Sequence, residues 1–302
     1  MEDSKIPVIA VVGPTASGKT AFAISLASKL NGEIVSADSM QIYKGMQIAT
    51  AKPTKEEMAL IPHHLIDFLD PGVAFSAADY VKLAHEKIHD IYSRNKQPII
   101  VGGTGLYVDS LLQNISFAEN AFDISVRTEL YRLHEEKGLD FLLDKLAAFD
   151  PESASRLAGG KNPKRIIRAI EIYQVTGITM TEHNNRSKTK DSIYGVLKIG
   201  LSYRNRQLLY DRINNRVDKM MDSGLLEEAK AIFSKLGDTA VQAIGYKELI
   251  PFFKKEKTLD ECIEMLKMQT RRYAKRQITW FKKDPDIHWI YMDDYKEVEN
   301  CV

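Results

Sequence analysis

The chain has 302 residues, 44% hydrophobic and 27% charged, with 42 Lys+Arg against 41 Asp+Glu for a formal net charge of +1. These proportions exclude a disordered polyelectrolyte, a collagen-like repeat and a coiled-coil rod, and the length allows a full core with a second domain folded into it. Cys262 and Cys301 alone cannot build a disulfide framework or a four-ligand zinc site; without a basic leader or an apolar run near the ~20 residues of a membrane span, a reduced, cytoplasmic, enzyme-sized protein is expected.

Ile6–Val12 (IPVIAVV) is a short apolar run ending at Gly13, the pattern of a strand buried on both faces of a parallel sheet. It runs into Gly13-Pro14-Thr15-Ala16-Ser17-Gly18-Lys19-Thr20, which fits G-x-x-x-x-G-K-[ST]. Residues 19–30 then carry apolar side chains at helical spacing and stop at Asn31-Gly32. A glycine-rich loop between strand and helix lets backbone N–H groups converge on phosphate oxygens, with Lys19 as a point charge and the Thr20 hydroxyl as a Mg²⁺ ligand. A phosphate or pyrophosphate site is predicted; the molecule that bears it is not. Strand candidates follow at 33–37 (EIVSA) and 64–69 (HLIDFL), a helix at 80–92, and a further apolar run at 98–101 ending in Gly102-Gly103-Thr104-Gly105. Strands alternating with helices predict βαβ units in a doubly wound, mostly parallel sheet.

The run at 98–101 lacks the terminal acid with which a nucleotide hydrolase positions Mg²⁺ or water, although Asp67 is a candidate metal-side acid. Asp38 follows the second strand. Strand C-termini face the ligand crevice in an open α/β sheet, so Asp38 is expected on the P-loop rim, as a proton acceptor or as a turn cap. Thr104, between glycines, either approaches a phosphate or serves the turn alone.

From about 116 to 192 no strand-like run occurs, and helical stretches around 125–137, 140–149 and 163–176 dominate. Strand character returns at 194–201, followed by helices and a late apolar run at 287–292. The expected organisation is an α/β core of residues 1–115 and 193–302 interrupted by an all-helical insertion, 116–192. Charge is unevenly spread: 156–190 holds eight basic residues against two acidic ones, and 264–283 seven against one. Arg212 and Arg216 lie four apart on one helix face. Arg271, Arg272, Lys275 and Arg276 form a stripe interleaved with Tyr273, Trp280 and Phe281. Such a pattern suits phosphates and unpaired bases, or equally a solvated helix face over core aromatics.

Eight segments, in order along almost the whole chain, resemble the bacterial tRNA dimethylallyltransferase (tRNA isopentenyltransferase) family: GPTASGKT at 13–20, DSMQIYKGMQIATAKP at 38–53, PHHLID at 62–67, VGGTGLY at 101–107, NPKRIIRAIE at 162–171, DRINNRV at 211–217, IGYKE at 244–248 and RRYAKRQITWF at 271–281. The resemblance implies a P-loop-type fold whose residues 13–20 hold the pyrophosphate of dimethylallyl diphosphate. It implies transfer of the prenyl group to the exocyclic amine of the adenosine 3′ of the anticodon in tRNA. Asp38 is then the proton acceptor, with Lys19, Thr104, Arg216 and Mg²⁺ at Thr20 neutralising the departing pyrophosphate. Asp38, Ser39, Met40, Gln41 and Thr104 are implied contacts of the flipped base. The anticodon stem-loop is implied to meet Arg127, Asn162, Pro163, Lys164, Arg165, Ile166 and Arg168 of the insertion, together with Arg272 and Arg276. No zinc-finger tail of the eukaryotic kind is visible, so the bacterial form is expected, as a monomer away from membranes. The rival readings are a P-loop small-molecule kinase with the insertion as lid, a prenyltransferase of free adenine nucleotides, and an RNA-binding protein with a degenerate P-loop. The last must contend with an intact Gly13, Gly18, Lys19, Thr20, Asp38 and Thr104.

Overall fold

The computed structural model describes residues 5–115, 123–187, 192–237 and 239–294. Cys301 lies outside them. The chain divides into two compact units, Met1–Leu112 with Ser192–Val302, and Gln113–Asp191, against the expected junctions at 115/116 and 192/193. In chain order the elements are β1 Ile6–Val12, α1 Lys19–Lys29, β2 Gly32–Ser36, α2 Lys55–Leu60, β3 His63–His64, α3 Ala77–Ser93, β4 Gln97–Gly102 and α4 Gly105–Leu112. The helices α5 Ile124–Ala147, α6 Pro151–Ala158, α7 Pro163–Thr176 and α8 Met180–Ser187 follow in the smaller unit. The larger unit resumes with β5 Tyr194–Ser202, α9 Arg206–Asp222, α10 Leu225–Ile232, α11 Ile250–Phe253, α12 Leu259–Phe281 and β6 Ile287–Tyr291. No helix among the described residues is long and apolar enough to cross a membrane.

The six strands run in the order β3-β2-β4-β1-β5-β6, and every described strand pairing is parallel. Central strands of such a sheet are covered on both faces, hence the unbroken apolar runs of β1 and β4. Val11, Ile34, Ile99 and Leu201 pack with Ala23 and Ala27 of α1. The alternate residues Ala10, Val35 and Ile100 are fully buried on the other face, and α3 and α4 pack on β2 and β4. Helix α3 begins with a capping box, Ser76 with Asp79, which satisfies two N-terminal donors reciprocally.

The apolar run at 64–69 does not continue as a strand. Leu65 and Asp67 both take positive φ, so β3 stops at His64, and the segment turns to pair Leu69 with Tyr43 in a single parallel bridge. A second core joins residues 40–49 to α9, α10 and α12 around Tyr43, Met46, Tyr246 and the buried Cys262. In the smaller unit, Leu130, Leu142, Ile166, Ile167 and Ile170 form a separate helical core. There the stretches expected at 125–137 and 140–149 are two arms of α5, broken at Gly138, whose φ of 81° no β-branched or bulky residue takes without strain.

Candidate active site

The P-loop follows from β1 without a spare residue. Gly13 has φ +141° and an added Cβ would lie 2.3 Å from the Leu201 carbonyl oxygen, so only glycine lets the chain leave the sheet here. Ala16 and Gly18 also have positive φ, curling the loop over the N-terminus of α1. Thr15, Ser17, Lys19 and Thr20 line a cavity of about 520 Å³ together with Asp38, Gly103, Arg212 and Arg216. Gly13 and Pro14, expected among the pyrophosphate ligands, do not line it. They form the strand exit, and the Pro14 carbonyl accepts from Lys19 Nζ at 2.6 Å. Ser17 is fully buried and its hydroxyl has no hydrogen-bond partner among the described residues.

The electrostatics are those of a site built for an anion. Burial pushes the Lys19 ammonium down to about 7, helped by the nearby Arg216 cation, while Asp38 pulls the other way. Burial also lowers Arg216, which is again supported by Asp38 and opposed by Arg212. Two crowded cations under one carboxylate gain most from a multiply charged ligand. Arg212 is exposed, donates to the Ala16 carbonyl at 3.0 Å, and stacks over Tyr203. Both arginines line the cavity, Arg216 being the more buried, and Arg212 also braces the loop.

Asp38 leaves β2 on the same rim, as the topology requires. One of its carboxylate oxygens accepts from the backbone N–H of Met40 at 2.9 Å and Gln41 at 3.3 Å. The turn-cap role and the site role therefore coexist. The Thr104 hydroxyl accepts from Ser39 N–H at 3.1 Å, and the Tyr273 phenol, raised by burial and by Asp38, also meets the Thr104 and Gln277 side chains. Gln41, expected to contact a base, has its amide committed within its own loop, to Ser36 and to the carbonyls of Thr50 and Ala51.

A second cavity of about 210 Å³ opens beside the first, walled by Met40, Ala49, Val217, Met220, Ile244 and Leu266, with Arg276 on its lining. Thr15, Asp38, Arg216 and Tyr273 line both. A polar, cationic compartment thus meets an apolar one at a carboxylate. Thr20, Ser17 and Asp38 offer only hard oxygen donors to the larger cavity, and no cluster of three His, Cys, Asp or Glu able to hold a metal occurs among the described residues. That donor set suits a Mg²⁺ held largely through a ligand's phosphates. Asp67 is not part of it: Lys52 Nζ binds its carboxylate at 2.5 Å, away from both cavities, and β4 ends at Gly102 with no acid. The hydrolase arrangement loses the metal-side acid that Asp67 was expected to supply.

Two supporting residues, Gln277 and Glu228, escaped the sequence reading, and a third, Trp280, entered it only as an aromatic of the basic stripe. Gln277 is buried in α12, accepts from Thr15 N–H at 2.8 Å and donates to the Gly103 carbonyl at 3.0 Å, tying the P-loop to the Gly102–Gly103 turn. Trp280, over a third exposed, donates to Asp109 at 2.7 Å and lies where a Cβ on Gly105 would fall, whereas Phe281 is core. Glu228 of α10 accepts from the backbone N–H groups of Gln47 and Ile48 at 2.8 Å and Ala49 at 3.1 Å, and from the Tyr246 hydroxyl at 2.6 Å. It anchors the wall of the smaller cavity. RRYAKRQITWF and IGYKE contain some of these residues, but no local pattern assigns a glutamine 262 residues from its partner.

In the smaller unit, Arg127 and Arg168 both bind Glu171, with closest contacts of 2.7 and 2.8 Å. Burial opposes ionisation of Glu171, but the hydrogen bonds from the two arginines outweigh it and lower its pKa. Asn162 caps α7 through Arg165 N–H and Pro163 is its first residue, so both shape the helix start. Ile166 is fully buried and cannot touch RNA; its role is to hold α7 in the core. Lys164 and Arg165 are exposed.

A family model described as IPP transferase matches residues 41–284. The tRNA dimethylallyltransferase of Bacillus subtilis (strain 168) is 49% identical over 301 residues, covering 99% of this chain and 95% of the relative. That of Thermoanaerobacter sp. (strain X514) is 47% identical over 299 residues, covering 97% and 94%. The crystal structure of full-length tRNA isopentenylpyrophosphate transferase from Bacillus halodurans is similar at 43% identity and TM-score 0.72, covering 98% of this chain and 95% of that one. A eukaryotic dimethylallyltransferase acting on tRNA is similar at 31% identity and TM-score 0.82, covering 95% and 74%.

Proposed function

The chain belongs to the tRNA dimethylallyltransferase (IPP transferase) family, and on that premise we propose how its two cavities divide the reaction. The enzyme transfers a dimethylallyl group to tRNA. The observation that carries the division is that the cationic and the apolar compartment share Asp38, Thr15, Arg216 and Tyr273. The diphosphate of dimethylallyl diphosphate binds the P-loop amides, the free Ser17 hydroxyl, Lys19 and Arg216. Its allylic carbon lies at the junction, and the apolar walls exclude water from it.

The acceptor is the exocyclic amine of the adenosine 3′ of the anticodon, flipped from its stack into the smaller cavity at a cost of a few kcal/mol. Its nitrogen attacks the allylic carbon, the C–N bond forms as the C–O bond breaks, pyrophosphate leaves, and the amine proton passes to Asp38. That amine is a poor nucleophile because its lone pair is delocalised into the ring, so positioning and leaving-group stabilisation carry the rate. Mg²⁺ at Thr20, when bound, would add charge neutralisation on the leaving pyrophosphate. The anticodon stem-loop is held by the exposed basic residues Lys164 and Arg165 of the insertion, with Arg272 and Arg276 of α12. Both cavities are lined by residues of one chain, which supports a monomer, and a tRNA substrate supports a cytoplasmic location.

The test uses purified protein, Mg²⁺, labelled dimethylallyl diphosphate and an anticodon stem-loop with adenosine 3′ of the anticodon. Label should enter this RNA and not a matched RNA with that adenosine replaced. Equal labelling of both, or turnover of ATP without labelling, overturns the reading.

A further inference from the structure

Of the seven basic residues in 264–283, only Lys267 binds a carboxylate among the described residues, and Arg272 is exposed. Lys267 binds Asp218 at 2.8 Å and Glu264 at 3.3 Å, Arg271 donates to Asn214, and Arg276 lies over the Tyr273 ring. Lys275, Lys282 and Lys283 have no carboxylate partner among the described residues, and nor does Arg206 at the start of α9. These four exposed cations line a groove of about 350 Å³ between α9 and α12, which shares no lining residue with either catalytic cavity. Its partly buried floor is Tyr210 and Ile278, which pack against the buried Leu209, Ile213 and Ala274. The nearest acid in sequence, Asp284, is already held by Lys198 at 2.6 Å.

We propose that this groove is a second RNA-binding surface, taking the sugar–phosphate backbone of the tRNA substrate away from the reacting base. The proposal rests on the reading of the chain as a tRNA prenyltransferase. A groove walled by one sign of charge focuses its field, and phosphates compensate the mutual repulsion that the four side chains otherwise sustain. The floor gives a ribose or base an apolar and aromatic surface to rest on, the combination that lets single-stranded segments bind without sequence preference. Helix α12 thus serves two surfaces: Tyr273, Arg276 and Gln277 line the catalytic cavities, and Lys275 and Ile278, with Lys282 just past the helix end, line the groove.

The experiment measures binding of an unmodified full-length tRNA transcript across a salt series, with steady-state transfer in parallel. Three proteins are compared: wild type, Lys282→Ala/Lys283→Ala on one wall, and Arg206→Ala on the other. Each lost phosphate contact should flatten the log affinity–log salt slope by ~0.7–0.9. The double variant should therefore lose ~1.4–1.8 of slope and bind roughly tenfold more weakly near 100 mM salt, and Arg206→Ala should lose about half that slope. KM for tRNA should rise while kcat stays within about twofold, because the groove touches no reacting atom. An unchanged slope in either wall's variant overturns the groove. Transfer that fails in the wild type while the slope falls as expected would remove the prenyltransferase reading and leave the groove standing; a wild type that binds no tRNA removes both.

Discussion

The clasp between Gln277 and the two loops it joins makes a quantitative prediction. Gln277→Ala removes an acceptor 2.8 Å from Thr15 N–H and a donor 3.0 Å from the Gly103 carbonyl. At ~1–1.5 kcal/mol for each bond, the loss is about 2–3 kcal/mol. Gly103→Ala should cost nearly the same for the same reason. The Gly103 backbone does not need positive φ, but the new Cβ would lie 2.0 Å from Gln277 Nε2 and must drive the amide out, breaking both bonds. In the double variant the methyl enters space already vacated. Its cost should equal that of either single variant, a coupling of about −2 to −3 kcal/mol. Thermal melting followed by circular dichroism should show a drop of ~5–10 °C in each of the three proteins, at ~2–4 °C per kcal/mol. KM for dimethylallyl diphosphate should rise alike in all three, since Thr15 N–H loses its anchor. Decrements that add, giving roughly twice the drop in the double variant, would refute the steric argument.

Other expectations follow from the same geometry. Asp38→Asn should leave tRNA affinity within severalfold and reduce kcat by ~10²–10⁴, read by single-turnover incorporation, and a near-wild-type rate would remove Asp38 as proton acceptor. Lys19, lowered to about 7 in the free enzyme, is raised when a diphosphate binds beside it. Affinity for the diphosphate is thus full below pH 7 and falls as pH rises through 7 toward the bound-state pKa; calorimetry at pH 8 in two buffers should report uptake of nearly one proton, lost in Lys19→Ala. Zero uptake in the wild type would contradict the linkage. Glu228→Ala should free the backbone at 47–49 and lower kcat/KM for tRNA by ~10–100-fold, with Glu228→Gln recovering part of it through the contacts an amide oxygen can still accept. Identical losses in both variants would show that no acceptor at that position matters.

Local sequence carried the elements with strong periodicity. The apolar runs of β1, β4 and β5 and the helical spacing of α3 and α7 set their own secondary structure, because burial on two faces or one stripe leaves a direct imprint on the chain. The segment 64–69 has the same apolar imprint yet turns after two residues, because positive φ at Leu65 and Asp67 is imposed by pairing with the 41–43 backbone and by Lys52, neither encoded nearby. The P-loop and the placement of Asp38 were legible for the same reason as β1: both sit at strand ends, and parallel topology sends those ends to one rim. What the sequence by itself determined is the phosphate cradle, the doubly wound sheet and the helical insertion, each specified by residues adjacent in the chain. Tertiary structure alone decided the apolar cavity beside the cradle, the Gln277 clasp, the Glu228 anchor, the ion pairs of Arg127 and Arg168 with the one Glu171, and the concentration of unpaired charge between α9 and α12. Each of these joins side chains far apart in the chain, and a partner chosen by packing leaves no periodic trace in either segment.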